Sequence, residues 1–113
     1  MPTTFTTPVP NEKGTAVLGV AFTDEDDSAV TPSAITWTLT NINGTIINGR
    51  DAESITPATS IDIVLSGDDL ALDAGVSDTR IVTVEYTYSS SYGTGLPEKD
   101  QATFSIRDLV AVT

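Results

Sequence analysis

A chain of 113 residues fits one domain with a single core, and at this size about two thirds of the surface exposed by the unfolded form is buried on folding. Cysteine and histidine are both absent, which removes disulfides, thiolate zinc sites, a Ser-His-Asp triad and any histidine base. Five basic residues against sixteen acidic ones give a net charge of −11, which repels a phosphate backbone, so nucleic acid is not expected as a partner.

Apolar residues make up 39% of the chain, enough to fold. The abundance of Thr, Val and Ile favours strands, because branched side chains suit a pleated sheet. No window approaches the roughly 20 apolar residues of a membrane span, so no membrane partner is expected. The run Met1-Pro2-Thr3-Thr4-Phe5-Thr6-Thr7 has neither the basic nor the apolar stretch of a secretory signal, and an intracellular start is expected.

Residues 1–10 form an arm or edge strand, since Pro8 and Pro10 cannot donate to a ladder. Gly14 to Asp24 is the second strand, with Ala16, Leu18, Val20 and Phe22 on one face and Val17, Gly19 and Ala21 on the other. Two rather apolar faces suit a central strand or one partly covered by a neighbour. The acidic run Asp24-Glu25-Asp26-Asp27 ends it. Ala34 to Thr40 alternates without a fault, so Ile35, Trp37 and Leu39 face a core while Thr36, Thr38 and Thr40 face water. Trp37, the single tryptophan, is placed as the core anchor on the third strand of an immunoglobulin-like sandwich. Asn43-Gly44 then predicts a type I′ hairpin turn, whose two central residues need positive φ.

A brief return over Thr45 to Asn48 leads to another turn at Asn48-Gly49-Arg50. Strands are predicted over Asp51 to Thr56 and over Ser60 to Ser66, the second with Ile61, Ile63 and Leu65 on one side. Ser66-Gly67-Asp68-Asp69-Leu70 has the form of a capping box around one helical turn that brings Leu70 and Leu72 to the core. Arg80 to Ser89 is the longest predicted strand, with Val82, Val84, Tyr86 and Tyr88 alternating against Ile81, Thr83, Glu85 and Thr87. Ser89 to Asp100 is expected to be a long loop, and Gln101 to Arg107 closes the sheet with Ala102, Phe104 and Ile106 inward. The apolar tail over residues 109–113 either finishes the last strand or docks on a neighbour. The expected fold class is all-β: an immunoglobulin-like Greek-key β-sandwich of seven to eight strands with one short helical turn, spanning residues 11–108.

Few motifs point to chemistry. The run Asp24 to Asp27 offers oxygen ligands of the kind calcium takes. Its spacing lacks the Asp-x-Asp-x-Asp-Gly order of a calcium loop, and a solvated acidic loop is the favoured reading. Asp68, Asp69 and Asp73 fall at the opposite end of the expected sandwich and cannot join it. Glycoside hydrolysis needs two carboxylates facing each other across a bond, and no pair is nominated. No catalytic residue, cofactor or metal is therefore expected. The loop around Tyr92 and Leu96, on a frame of Ser and Gly, has the composition of partner-binding loops. Phe5 in the arm and Leu109, Val110 and Val112 in the tail are further candidate interaction residues, because apolar chain ends are what an assembling module uses.

Taken together, Ile35-Thr36-Trp37-Thr38-Leu39 with its Asn-Gly turn, Ser60 to Leu70, and Arg80-Ile81-Val82-Thr83-Val84-Glu85-Tyr86 resemble small immunoglobulin-like proteins of bacteriophage virions. The resemblance spans most of the chain. It implies a non-enzymatic virion protein, a capsid decoration, neck or tail-associated component made in the host cytoplasm, whose partners are other virion proteins or further copies of itself. The alternative from another class is a cell-surface adhesion or carbohydrate-binding β-sandwich module with calcium at Asp24 to Asp27.

Overall fold

The computed structural model describes residues 3–72 and 78–109. Among these, seven strands form two antiparallel sheets, β1 (Thr3–Thr6), β2 (Thr15–Phe22), β3 (Ala34–Thr40), β4 (Glu53–Ile55), β5 (Ser60–Ser66), β6 (Thr79–Ser90) and β7 (Gly93–Ser105). One sheet has the order β1-β2-β5 and the other β4-β3-β6-β7. A single 3₁₀ turn, Gly67–Leu70, joins β5 to the connection before β6. The fold is an all-β sandwich. In the constant-type immunoglobulin arrangement the fourth strand lies in the sheet of the first two. Here β4 pairs with β3 instead, placing Ile55 opposite Ile35 and Glu53 opposite Trp37.

Side-chain alternation produces the core. Ala16, Leu18, Val20 and Phe22 from β2 and Ile61, Ile63 and Leu65 from β5 are buried against Ile35, Trp37, Leu39, Val82 and Val84 of the facing sheet. Because successive side chains point to opposite faces, one apolar stripe per strand suffices to fill the space between the sheets. Phe22 and Tyr86 meet edge to face across the sandwich with ring centroids 4.7 Å apart. Trp37 is 8% exposed, and the Arg50 guanidinium lies 5.9 Å from its ring centroid. Leu70 enters the core from the 3₁₀ turn and Leu72 packs partly against it.

The turns differ from expectation in an instructive way. Asn43-Gly44 does not adopt type I′. Gly44 has φ +84, but Asn43 is not in the positive-φ region. The Asn41 side chain accepts hydrogen bonds from the amides of Asn43 (2.9 Å) and Thr45 (3.1 Å), and Gly44 N–H closes onto the Asn41 carbonyl. The result is a three-residue loop with its glycine in the left-handed position. The type I′ geometry falls on Asn48-Gly49, with φ +53 and +67 and Arg50 N–H donating to the Ile47 carbonyl.

The long loop expected over Ser89 to Asp100 is likewise strand. β6 runs on to Ser90, and β7 begins at Gly93 after the turn residues Ser91 and Tyr92. Gly95 (φ +63) and Thr94 face the single residue Ser89, a bulge that absorbs the glycine. Pro97 fits because β7 is an edge strand. Its partner Thr87 gives its carbonyl to Ser33 on the β3 side, so the missing N–H of Pro97 falls on the open edge.

Both seams between the sheets are tied. On one, the buried Thr3 hydroxyl bonds the Asp100 carboxylate, joining β1 to β7. Beyond Pro8 and Pro10 the chain changes sheets: Asn11 bridges Arg107 in parallel, with Arg107 N–H donating to the Pro10 carbonyl at 2.7 Å and Glu12 N–H to the Arg107 carbonyl at 2.9 Å. On the other seam Arg50, before β4, pairs with Asp69 after β5.

Candidate functional site

Two places concentrate polar chemistry, and strand register puts them at opposite ends. β2 and β5 run antiparallel with Thr15 opposite Ser66 and Ala21 opposite Ser60, so the Asp24 loop and the Asp68-Asp69 turn are separated by the length of the sheet. This is the separation expected from the sequence.

At the first end lie the β2–β3 loop and the β6–β7 turn. Asp24 organises the loop, its carboxylate accepting from the amides of Asp26 (2.9 Å) and Ser28 (3.0 Å). The Tyr88 hydroxyl, at the end of the buried stripe of β6, donates to Glu25 at 2.7 Å. Hydrogen bonds from the Ser90 and Tyr88 side chains hold the Glu25 carboxyl below its ordinary value, and the same contact with Glu25 pushes the Tyr88 phenol up to about 12. Carboxylate oxygens of Asp24, Glu25 and Asp26 lie within 4.8 Å of one another, a grouping able to approach a cation. Tyr92 stands at the hairpin tip, 73% exposed, with its amide fixed by the Ser90 hydroxyl at 3.1 Å.

At the second end Asp69 is fully buried. Its carboxylate receives Asn48 Nδ2 (2.9 Å), Arg50 Nε (2.9 Å) and Nη2 (3.3 Å), and Ser66 N–H (3.1 Å). The last of these is the capping contact expected from Ser66 and Asp69. Burial alone raises the Asp69 carboxyl, but hydrogen bonds from Arg50 and Asn48 outweigh it and hold the group below its usual value. Arg80, also fully buried, donates to the carbonyls of Asp69 (3.3 Å), Ala71 (2.7 Å) and Thr79 (3.3 Å). This cluster ties backbone segments together.

The remaining interaction candidates are dispersed. Phe5 is half-buried on β1 opposite Val20 and packs on the core. Leu96 also turns inward and packs on the core, opposite Tyr88. Leu109 lies at the second end, its amide bonded to Glu12 at 3.2 Å. Val110 and Val112 fall outside the described residues. Two exposed isoleucines were not anticipated: Ile42, 61% exposed, and Ile46 flank the Asn43-Gly44 loop. Val17 and Val64 form an exposed cross-strand pair on the outer face of the three-stranded sheet. Val64 falls out of phase with Ile61, Ile63 and Leu65, which is the signal that places it outside. A shallow depression of about 240 Å³ lies on the outer face of the other sheet, lined by Ala34, Thr36, Glu85, Thr87, Pro97 and Lys99 among others.

Protein-family models, curated proteins and solved structures yield no match to this chain.

Proposed function

We propose that the chain is a non-enzymatic structural protein of a bacteriophage virion, a capsid decoration, neck or tail-associated component that works by protein–protein assembly. The observation that carries this reading is Tyr92, an aromatic ring presented to solvent at the tip of a hairpin whose backbone is fixed by Ser89 and Ser90. A preordered aromatic anchor gives a partner large contact area at little entropic cost. The sequence resemblance to phage immunoglobulin-like proteins supplies the setting. Density-gradient fractionation of the source culture tests it, with an antibody used to locate the chain. The chain is expected in the particle band, and Tyr92→Ala is expected to leave the fold intact while depleting it from particles. Signal confined to the envelope fraction overturns the reading.

The grouped carboxylates of Asp24, Glu25 and Asp26 favour a second reading, a surface adhesion or carbohydrate-binding module that uses calcium. Under it, millimolar calcium raises the melting temperature and Asp24→Asn abolishes the rise. No shift argues against it.

A further inference from the structure

Two Asn-Gly pairs, Asn43-Gly44 and Asn48-Gly49, lie in the same β3–β4 connection and share the chemistry most prone to spontaneous loss of ammonia. In that reaction the deprotonated amide nitrogen of the glycine attacks the asparagine Cγ, and the side-chain nitrogen leaves as ammonia. The resulting succinimide is opened by water at either carbonyl, giving aspartate or isoaspartate. Water is consumed, ammonia is released, and no oxidant or metal takes part. Glycine favours the step because it has no side chain to obstruct ring closure.

The fold treats the two asparagines differently. Asn48 has its side-chain nitrogen held at 2.9 Å by a fully buried carboxylate, that of Asp69. Its backbone is fixed in a type I′ turn, between ladder bonds that join Leu39 to both Ile47 and Arg50. To react, Asn48 must give up a charge-assisted bond and bring Cγ round to Gly49. Both asparagines are exposed, but among the described residues no hydrogen bond holds the side-chain amide of Asn43. Gly44 N–H does donate to the Asn41 carbonyl at 3.1 Å, but that is a neutral bond in an exposed turn and roughly half as strong as one to a charge.

We infer that Asn43 is a site of spontaneous deamidation on the folded protein, and that the buried Asp69 carboxylate shields Asn48 from the same reaction. Conversion at Asn43 places a new carboxylate between the exposed Ile42 and Ile46, and the isoaspartyl product adds a backbone atom to a loop organised by Asn41. The loop that presents two apolar side chains thus changes charge and shape with the age of the molecule.

The test is to hold the intact chain in mildly alkaline buffer, with and without a denaturing concentration of guanidinium, and locate the deamidation mass gain by peptide fragmentation over time. In denaturant the two sites, each followed by glycine, are expected to react at similar rates. In buffer Asn43 is expected to lead by about tenfold or more, the factor that corresponds to breaking one charge-assisted hydrogen bond. Asp69→Ala is expected to bring Asn48 towards the rate of Asn43 without altering Asn43. If the folded chain shows the same ratio as the denatured one, or Asn48 leads, the inference is wrong. That comparison uses the unaltered sequence and decides the matter even if Asp69→Ala fails to fold.

Discussion

A carboxylate removed from water costs several kcal/mol unless donors surround it, and Asp69 is met by four N–H groups from Asn48, Arg50 and Ser66. Its removal is therefore expected to destabilise the fold by about 2–3 kcal/mol, less than for a fully buried pair because Arg50, 36% exposed at its side chain, regains water. A urea melt of Asp69→Ala measures this. The pH dependence has a definite sign. The folded-state value of Asp69 lies below that of the unfolded chain, so its contribution is complete above the unfolded carboxylate value of about 3.9 and is lost as pH falls through the lower folded value. Melts at decreasing pH should show wild type converging on Asp69→Ala in that acid range. Trp37 belongs to the opposite class of residue, large, apolar and 8% exposed. Trp37→Ala is expected to cost about 3–5 kcal/mol, and a melt within error of wild type would show that the core does not depend on it.

At the scale of the element, the β3–β4 connection separates two glycine turns that look alike in sequence. Gly49 has φ +67 inside the type I′ turn, where a Cβ is penalised by roughly 1–2 kcal/mol, so Gly49→Ala should lower stability by about that amount in the same urea melt. The strands themselves were legible: the stripes Ala16 to Phe22, Ile35 to Leu39, Ile61 to Leu65 and Val82 to Tyr88 are buried as alternation predicts, because period two is a local property. What escaped depends on distant partners. Arg80 is in phase with Val82 and Val84, and a cation on an apolar stripe is the signal that it is buried, but the Asp69 and Ala71 carbonyls that accept from it are set by the path of the chain around the 3₁₀ turn. The capping role of Asp69 could be read from Ser66, whereas its pairing with Arg50 joins residues 19 positions apart. Pro97, Gly95 and Gly93 suggested a loop because the open edge and the bulge that accommodate them exist only once β7 has paired. Tyr92 could be singled out from composition, while Ile42 and Ile46 could not, since an isoleucine near a turn is as easily core as surface.

For the whole molecule, charge is unevenly placed. The loops at the Tyr92 end, residues 23–33, 56–59 and 89–95, contain Asp24, Glu25, Asp26 and Asp27 and no lysine or arginine. Lys13, Arg50, Arg80 and Arg107 all belong to the opposite end, where the turn at Gly14, the β3–β4 connection and the close of β7 meet. In the assembly role proposed above, a basic partner that receives Tyr92 would be drawn to this acidic end from a distance. Association through this end is expected to slow and weaken as salt rises from low to physiological ionic strength, where the screening length contracts to about 8 Å. Stopped-flow or surface-binding rates across a salt series check this, and rates indifferent to salt would place the contact elsewhere.

The parallel bridge between Asn11 and Arg107 has a mechanical consequence. A pull applied ahead of Thr3 and beyond Leu109 drives these two segments past each other along their length, in shear. The hydrogen bonds from Arg107 to Pro10 and from Glu12 to Arg107 then carry the load together instead of opening one after the other as in a zipper. A sandwich clasped in this way resists tension applied along these two segments more than one whose end strands part like a zipper.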